Sequence, residues 1–241
     1  MKISVCIATY NGGRFIHEQL ASILPQLSSE DEVIVSDDGS TDNTLDVVRG
    51  FDDSRIKIIL HQKRKAKFTI DYATANFENA LKHASGEIIF LSDQDDVWMP
   101  TKVSTMLAAL EGNDIVMSDC TVVDSKLNVI HPSYYSTQRV YKTSLVYNII
   151  KPSFLGSCMA FRRSILSRAL PFPPYGVGHD LWLGLIGLRF YKFQFIQQPL
   201  ICYRRHEQTV TDGGKTNATS LWFKVSYRLY VLKAVISKLI F

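Results

Sequence analysis

Cysteine is scarce in these 241 residues: four thiols, Cys6, Cys120, Cys158 and Cys202, stand far apart. No pair has the spacing of a zinc ribbon or a redox motif, so neither chemistry is indicated. Three of the four sit in apolar runs and read as buried thiols, which suits a reducing compartment. A strong charge of either sign is also missing. The formal net charge is +4, too small to argue for nucleic acid as a partner. No window holds enough uninterrupted apolar residues to cross a bilayer. The apolar run after Met1-Lys2 stops at Ala8, too short for a signal peptide, and no small-residue cleavage site follows. The expectation is a cytoplasmic protein, free or peripheral at the inner face of the plasma membrane. Internal repeats and low-complexity tracts are absent as well. With 46% hydrophobic and 21% charged residues, the composition is ordinary for a globular protein with one sizeable core.

What is present is alternation. Ile3 to Ile7 reads as a buried strand, followed by a helical stripe of Ile16, Leu20, Ile23, Leu24 and Leu27 that Pro25 stops or kinks. Val33 to Val35 is a second strand, and Ser40 or Thr41 can cap a helix running through Val48. A third strand, Ile56 to Leu60, leads into the basic residues Lys63, Arg64, Lys65 and Lys67. A helix with Phe77, Ala80, Leu81 and Ala84 follows, ended by Gly86, and Glu87 to Leu91 is the fourth strand. Strands alternating with helices predict a Rossmann-like, mostly parallel central sheet flanked by helices, with ligands at the carboxyl ends of the strands. Farther on, Ile115 to Ser118, Cys120 to Val123 and Ser157 to Phe161 read as strands. The Tyr-rich residues 131–147 read as a loop, and Asp180 to Leu188 reads as a helix.

Polar clusters follow three of the early strands. Asp93, Asp95 and Asp96 repel one another, and a hard divalent cation relieves that repulsion; an acid-rich turn is the equal alternative. Asp37-Asp38-Gly39-Ser40 can accept a hydrogen bond from a nucleotide base, or simply cap the next helix. Asp180, after His179, can take a proton from a hydroxyl or favour the helix dipole. In Tyr203-Arg204-Arg205-His206 and the later Lys215, cations can clamp phosphates and His206 can ligate a metal. Gly214-Lys215-Thr216 is not a phosphate-binding loop, because its upstream glycine is Thr209. The sequon at Asn217 carries no meaning without a secretory signal.

In order and spacing these blocks resemble family-2 glycosyltransferases of the GT-A fold. The resemblance rests on Val5 to Asn11, Val35 to Asp42, Leu91 to Trp98, His179 to Trp182 and Tyr203 to His206, and runs to about Gly214. It is closest to the bacterial rhamnosyltransferase-like branch, where the Asp-Gln-Asp-Asp-Val-Trp block is typical. The resemblance implies an inverting transferase using a nucleotide-sugar donor, dTDP-rhamnose or a UDP-hexose, and Mg²⁺ or Mn²⁺. The implied acceptor is a bacterial surface glycan or lipid-linked oligosaccharide. Ala8, Thr9 and Tyr10 then line the nucleotide pocket, and Asp37 or Asp38 reads the base. Asp93 and Asp95 form the Asp-x-Asp motif, Asp95 being the direct metal ligand and Asp96 a support for the loop. Asp180 is the catalytic base, with His179 departing from the usual Glu before it, and His206 completes the metal or phosphate site.

The implied organisation is a catalytic domain over 1–219, with 1–98 binding nucleotide and 99–219 binding acceptor. Residues 220–241 form a C-terminal amphipathic helix. Lys224, Arg228 and Lys238 share one face of it and Lys233 lies nearly opposite, so the helix suits either an anionic membrane surface, with Trp222 at headgroup level, or packing against the domain or a partner copy. Two other readings compete. A nucleotidyltransferase making nucleotide sugars expects a longer, more basic loop than Thr9 to Arg14. A catalytically inactive sugar- or membrane-binding domain has no use for the retained acids.

Overall fold

The computed structural model describes residues 1–62, 66–137, 140–206 and 221–240. Lys63, Arg64 and Lys65, the stretch holding Thr209 to Asn217, and the side chains of Trp222 and Lys224 lie outside the described residues. One sheet contains β1 (Ile3–Thr9), β2 (Glu32–Asp37), β3 (Ile56–Leu60), β4 (Ile88–Asp93), β5 (Val97–Trp98), β6 (Ile115–Val123), β7 (Val129–His131), β8 (Met159–Arg162) and β9 (Phe193–Arg204). The helices are α1 (Ile16–Ile23), α2 (Thr44–Arg49), α3 (Thr69–His83), α4 (Lys102–Leu110), α5 (Tyr134–Thr137), α6 (Leu145–Ile150), α7 (Leu166–Ala169), α8 (His179–Phe190) and α9 (Leu221–Val235).

The strand path is β3-β2-β1-β4-β8-β6-β9-β5, with β7 beside β6. Its first four strands are parallel, as the βαβ alternation predicts. Beyond β4 the sheet is mixed: β8 runs antiparallel to β4 and β6, while β9 is parallel to β6. β1, β2 and β4 are covered on both faces, which explains their near-continuous apolar runs. Alternate residues serve separate cores. Cys6, Ile34, Ile89 and Leu91 pack with Phe77 and Leu81 of α3 and Leu181, Trp182 and Leu185 of α8. Val5, Ile7, Val33, Val35 and Phe90 pack with Ile16, Leu20 and Ile23 of α1 and Met106 of α4. Each such buried side chain contributes about 1.5–3 kcal/mol against solvent exposure.

Register sets the functional rim. Thr9 stands opposite Asp37, and Ala8 opposite Asp93, so the polar clusters after β1, β2 and β4 share one edge of the sheet.

Several boundaries differ from the sequence expectation. α2 begins after Asn43 rather than at Ser40 or Thr41, because Asp42 accepts the Thr44 N–H at 3.0 Å and Ser40 is bound to Asp37. The two strands expected around Asp119 are one, β6, whose register with β9 shifts there. Residues 131–147 are not a plain loop: β7 ends at His131, α5 follows, and Ser144 caps α6. β9 has no counterpart in the expectation. α9 forms as expected and packs inward through Val231, Ala234 and Val235, continuing as a wider helical turn over Ile236–Ile240. Its outward side carries Leu229, Leu232 and Ile236 exposed, so it is not a purely polar face.

Candidate active site

The β2 turn is built around Asp37. This carboxylate is buried and accepts from Thr9 Oγ1 at 2.9 Å, Gly39 N at 3.0 Å, Ser40 N at 2.8 Å and Ser40 Oγ at 2.6 Å. Gly39 sits at φ +78°, a left-handed conformation that glycine adopts without steric cost, and this brings both amides onto Asp37. Asp38 faces elsewhere. Its Oδ1 lies 2.5 Å from His61 Nδ1, at the end of β3, and its amide donates to Thr9 O at 2.9 Å.

The next loop is joined to this turn through amides. Tyr10 N donates to Gln94 Oε1 at 2.9 Å, and Gln94 Nε2 donates back to Tyr10 O at 3.2 Å. Asn76 of α3 also donates to Thr9 O, at 3.1 Å. Gln94 thus ties the β1 end to the acidic cluster, while the Tyr10 ring is left exposed.

The acidic residues differ in surroundings. Asp93 ends β4 and is half-buried. Burial, and then the negative charges of Asp95 and Asp180, push its pKa up to about 7. Lys102 is buried, its Nζ 4.1 Å from the Trp98 ring centre and donating to Ser157 O at 2.7 Å, and its charge opposes that rise. Burial draws the Lys102 ammonium down to about 8. Asp95 meets His206, Oδ2 to Nε2, at 2.7 Å. Asp96 is buried, accepts the Arg204 amide at 3.0 Å, and leaves Oδ2 unpaired among the described residues. Burial, and then Asp95 and Asp93, raise it well above the usual carboxylate range.

Arg204 organises this side. Its Nε donates to Asp95 O and its Nη1 to Ser125 O, each at 2.7 Å, and its Nη2 meets Glu18 Oε2 at 2.5 Å. The guanidinium lies 4.7 Å from the Phe15 ring centre, and His206 stacks on the same ring at 4.6 Å. Arg204 is 2% exposed, so it is a pin inside the protein and not the phosphate clamp expected of this block. Its role was hidden in the sequence because Phe15 and Glu18 lie on α1 and the loop before it. Arg205 turns away and lies over Tyr203, 4.7 Å from the ring centre.

Asp180 stands in the first turn of α8, half-buried, with Oδ1 accepting the Leu181 amide at 2.7 Å. Its Cβ lies beside Gly156, and its charge adds to the rise at Asp93. His179 points into the core, stacked on Phe77 at 4.0 Å, with neither ring nitrogen paired among the described residues. Burial holds it below the usual histidine range, and so neutral.

Of the site residues named from the sequence, Ala8, Thr9, Asp37 and Asp93 share one sheet edge, Tyr10 and Asp38 directly follow it, Asp95 pairs with His206, and Asp180 stands at the start of α8. Among the described residues no three His, Cys, Asp or Glu side chains form a group able to hold a metal unaided. Asp93, expected among the ligands, does not join the Asp95–His206 pair in such a group. That pair offers one carboxylate oxygen and one imidazole nitrogen. This donor set fits a divalent ion that takes its other positions from water and a diphosphate.

The model for glycosyl transferase family 2 matches residues 4–170. The chain belongs to that family. Among curated relatives, the Escherichia coli UDP-Glc:alpha-D-GlcNAc-diphosphoundecaprenol beta-1,3-glucosyltransferase WfgD is 28% identical over 226 residues, covering 91% of this chain and 83% of its own length. The dTDP-rhamnosyl transferase RfbG of Shigella flexneri is 28% identical over 235 residues, covering 92% and 77%. A solved structure of Mycobacterium tuberculosis glucosyl-3-phosphoglycerate synthase, with Mn²⁺, UDP and glucosyl-3-phosphoglycerate, superposes with TM-score 0.61 at 19% identity, covering 99% of this chain and 80% of that one. That likeness establishes the GT-A fold. The first curated relatives are longer than this chain, which spans 65% of one and 83% of the next. Family membership sets the nucleotidyltransferase reading aside.

Proposed function

We propose that this protein is an inverting glycosyltransferase. It moves a sugar from a nucleotide-diphosphate donor, dTDP-rhamnose or a UDP-hexose, to a hydroxyl of a surface glycan or lipid-linked oligosaccharide. The observation that supports this most is the convergence of polar groups at one sheet edge: register sets Thr9 opposite Asp37 and Ala8 opposite Asp93, and Asp95, in the turn after β4, meets His206 from beyond β9. Residues 1–98 hold the donor and residues 99–219 face the acceptor. Ala8, Thr9 and Tyr10 line the nucleotide pocket. Asp38 is the base reader, since both oxygens of Asp37 are already committed to the turn.

Asp95 and His206 are the side chains that hold the divalent ion, Mg²⁺ or Mn²⁺. When bound, that ion supplies positive charge for the diphosphate as the sugar leaves. Asp180 takes the proton of the acceptor hydroxyl as its oxygen forms the new bond to the anomeric carbon. The bond from that carbon to the diphosphate oxygen breaks with its electron pair on oxygen, and a single displacement inverts the configuration. The exposed Leu229, Leu232 and Ile236, beside Arg228 and Lys233, support peripheral contact with the inner face of the plasma membrane.

The test is Asp180→Asn, assayed by nucleoside diphosphate release from UDP-glucose and dTDP-rhamnose with a bacterial membrane extract as acceptor. General-base loss predicts a fall of about 10²–10⁴-fold in turnover with nucleotide affinity unchanged. Near-normal turnover overturns the assignment of Asp180. Wild-type protein that binds nucleotide yet releases none supports an inactive binding domain instead.

A further inference from the structure

A cleft of about 620 Å³, lined by none of the acidic-cluster residues, lies between α9, the end of the β3–α3 connection and the Pro173–Tyr175 segment. Its wall is apolar, with Pro173, Tyr175 and Tyr230, and three lysines border it: Lys67, Lys233 and Lys238. Among the described residues no carboxylate lines it. Lys67 leans on Tyr230, 4.7 Å from the ring centre, and Lys238 donates to Pro171 O at 2.5 Å. Lys233 is exposed and makes no hydrogen bond or ion pair among the described residues. An apolar wall with only cations at its edge matches a ligand that is anionic at one point and hydrocarbon beside it. The volume falls within the usual range for small-molecule sites, about 300–1,000 Å³.

Two connections give the cleft a direction. At about 100° per residue, Lys233 falls on α9 between the cleft-facing Tyr230, Ala234 and Ser237 and the exposed apolar arc of Leu229, Leu232 and Ile236. The cleft therefore opens beside the apolar surface of the helix. The second connection leads to the chemistry. Tyr175 is five residues from Asp180, at most about 18 Å of chain. Between them, Gly176 is fixed to α3 by its N–H to Asp71 Oδ1 at 2.7 Å, and His179 by its N–H to Thr74 Oγ1 at 3.2 Å.

We infer that this cleft binds the diphosphate and proximal isoprenoid of a lipid-linked acceptor, leaving the acceptor sugar to reach Asp180. The inference rests on the glycosyltransferase reading and specifies its acceptor as a polyprenyl diphosphate. The lysines hold the diphosphate, Tyr175 and Tyr230 flank the first isoprene units, and the hydrocarbon leaves past Leu229 and Leu232 toward the lipid.

The experiment titrates farnesyl diphosphate into the full chain in saturating UDP or dTDP with Mn²⁺, so that the donor site is already filled. Inorganic pyrophosphate and farnesol are titrated alongside, separating phosphate capture and apolar capture from recognition of the joined molecule. Lys233→Glu removes an edge cation, and Ser237→Trp fills the cleft from an exposed position. Farnesyl diphosphate is expected to bind at least about tenfold tighter than either half, and each substitution to weaken it about tenfold, with nucleotide affinity kept within about twofold. No binding of farnesyl diphosphate, binding no tighter than pyrophosphate, or equal binding to both variants overturns the inference. Equal binding here means that both variants bind farnesyl diphosphate as tightly as the unsubstituted chain does. Nucleotide binding is read in the same samples, so failure of the donor site shows separately as loss of that signal.

Discussion

Adjacent carboxylates in this chain have opposite duties, and their hydrogen-bond partners separate them. Asp37 and Asp38 are indistinguishable in the sequence, yet one anchors a turn and the other faces His61. The Asp93-Gln94-Asp95-Asp96 run divides the same way: Asp96 is buried against the Arg204 amide and Asp95 meets His206. Residue types and order were legible; partners were not, because His61, Arg204 and His206 come from distant positions. Glu32, at the opposite end of β2, gives a residue-scale prediction. Burial raises its pKa, but bonds from Lys57, Ser4 and Ser85 outweigh that and hold it below the usual carboxylate range. A depressed folded pKa contributes stability above the unfolded value, about 4.3, and loses it as pH falls. Glu32→Gln is therefore expected to cost about 2 kcal/mol at neutral pH, with the difference shrinking from about pH 5 to about pH 3 in urea titrations. A pH-independent difference contradicts this account of Glu32.

At the scale of elements, β1, β2, β4 and α8 were readable because burial on both faces leaves unbroken apolar runs. β9 was not. Its Gln194, Gln197, Gln198 and Pro199 suppress any strand pattern, and what makes it a strand is its long parallel pairing with β6. Yet β9 delivers Arg204 and His206 to the acidic cluster, so an unreadable element carries part of the site. Arg204→Met strands the Asp95 and Ser125 carbonyls, an expected loss of about 2–3 kcal/mol. For a chain of this size that lowers Tm by about 4–12 °C. It also frees Asp95 and His206 to move, so metal-dependent nucleotide affinity falls with it. An unchanged Tm contradicts the pinning role; an unchanged affinity limits the pin to stability.

Across the whole molecule, parallel register brings the ends of β1, β2 and β4 to one edge, and α8 adds Asp180 from the far half of the chain. The βαβ alternation made that edge predictable from sequence. The mixed second half and the packing of α9 were not, since both depend on contacts between distant segments. The central claim is that this edge binds a nucleotide diphosphate through a divalent ion held by Asp95. Calorimetric titration of UDP, dTDP and GDP in Mn²⁺, repeated in EDTA and with Asp95→Ala, tests it most directly. The account predicts that at least one nucleotide binds in Mn²⁺, and that both chelation and the substitution weaken it by about tenfold or more, roughly 1.4 kcal/mol. Absence of binding by all three nucleotides, or an affinity indifferent to both metal and Asp95, contradicts it.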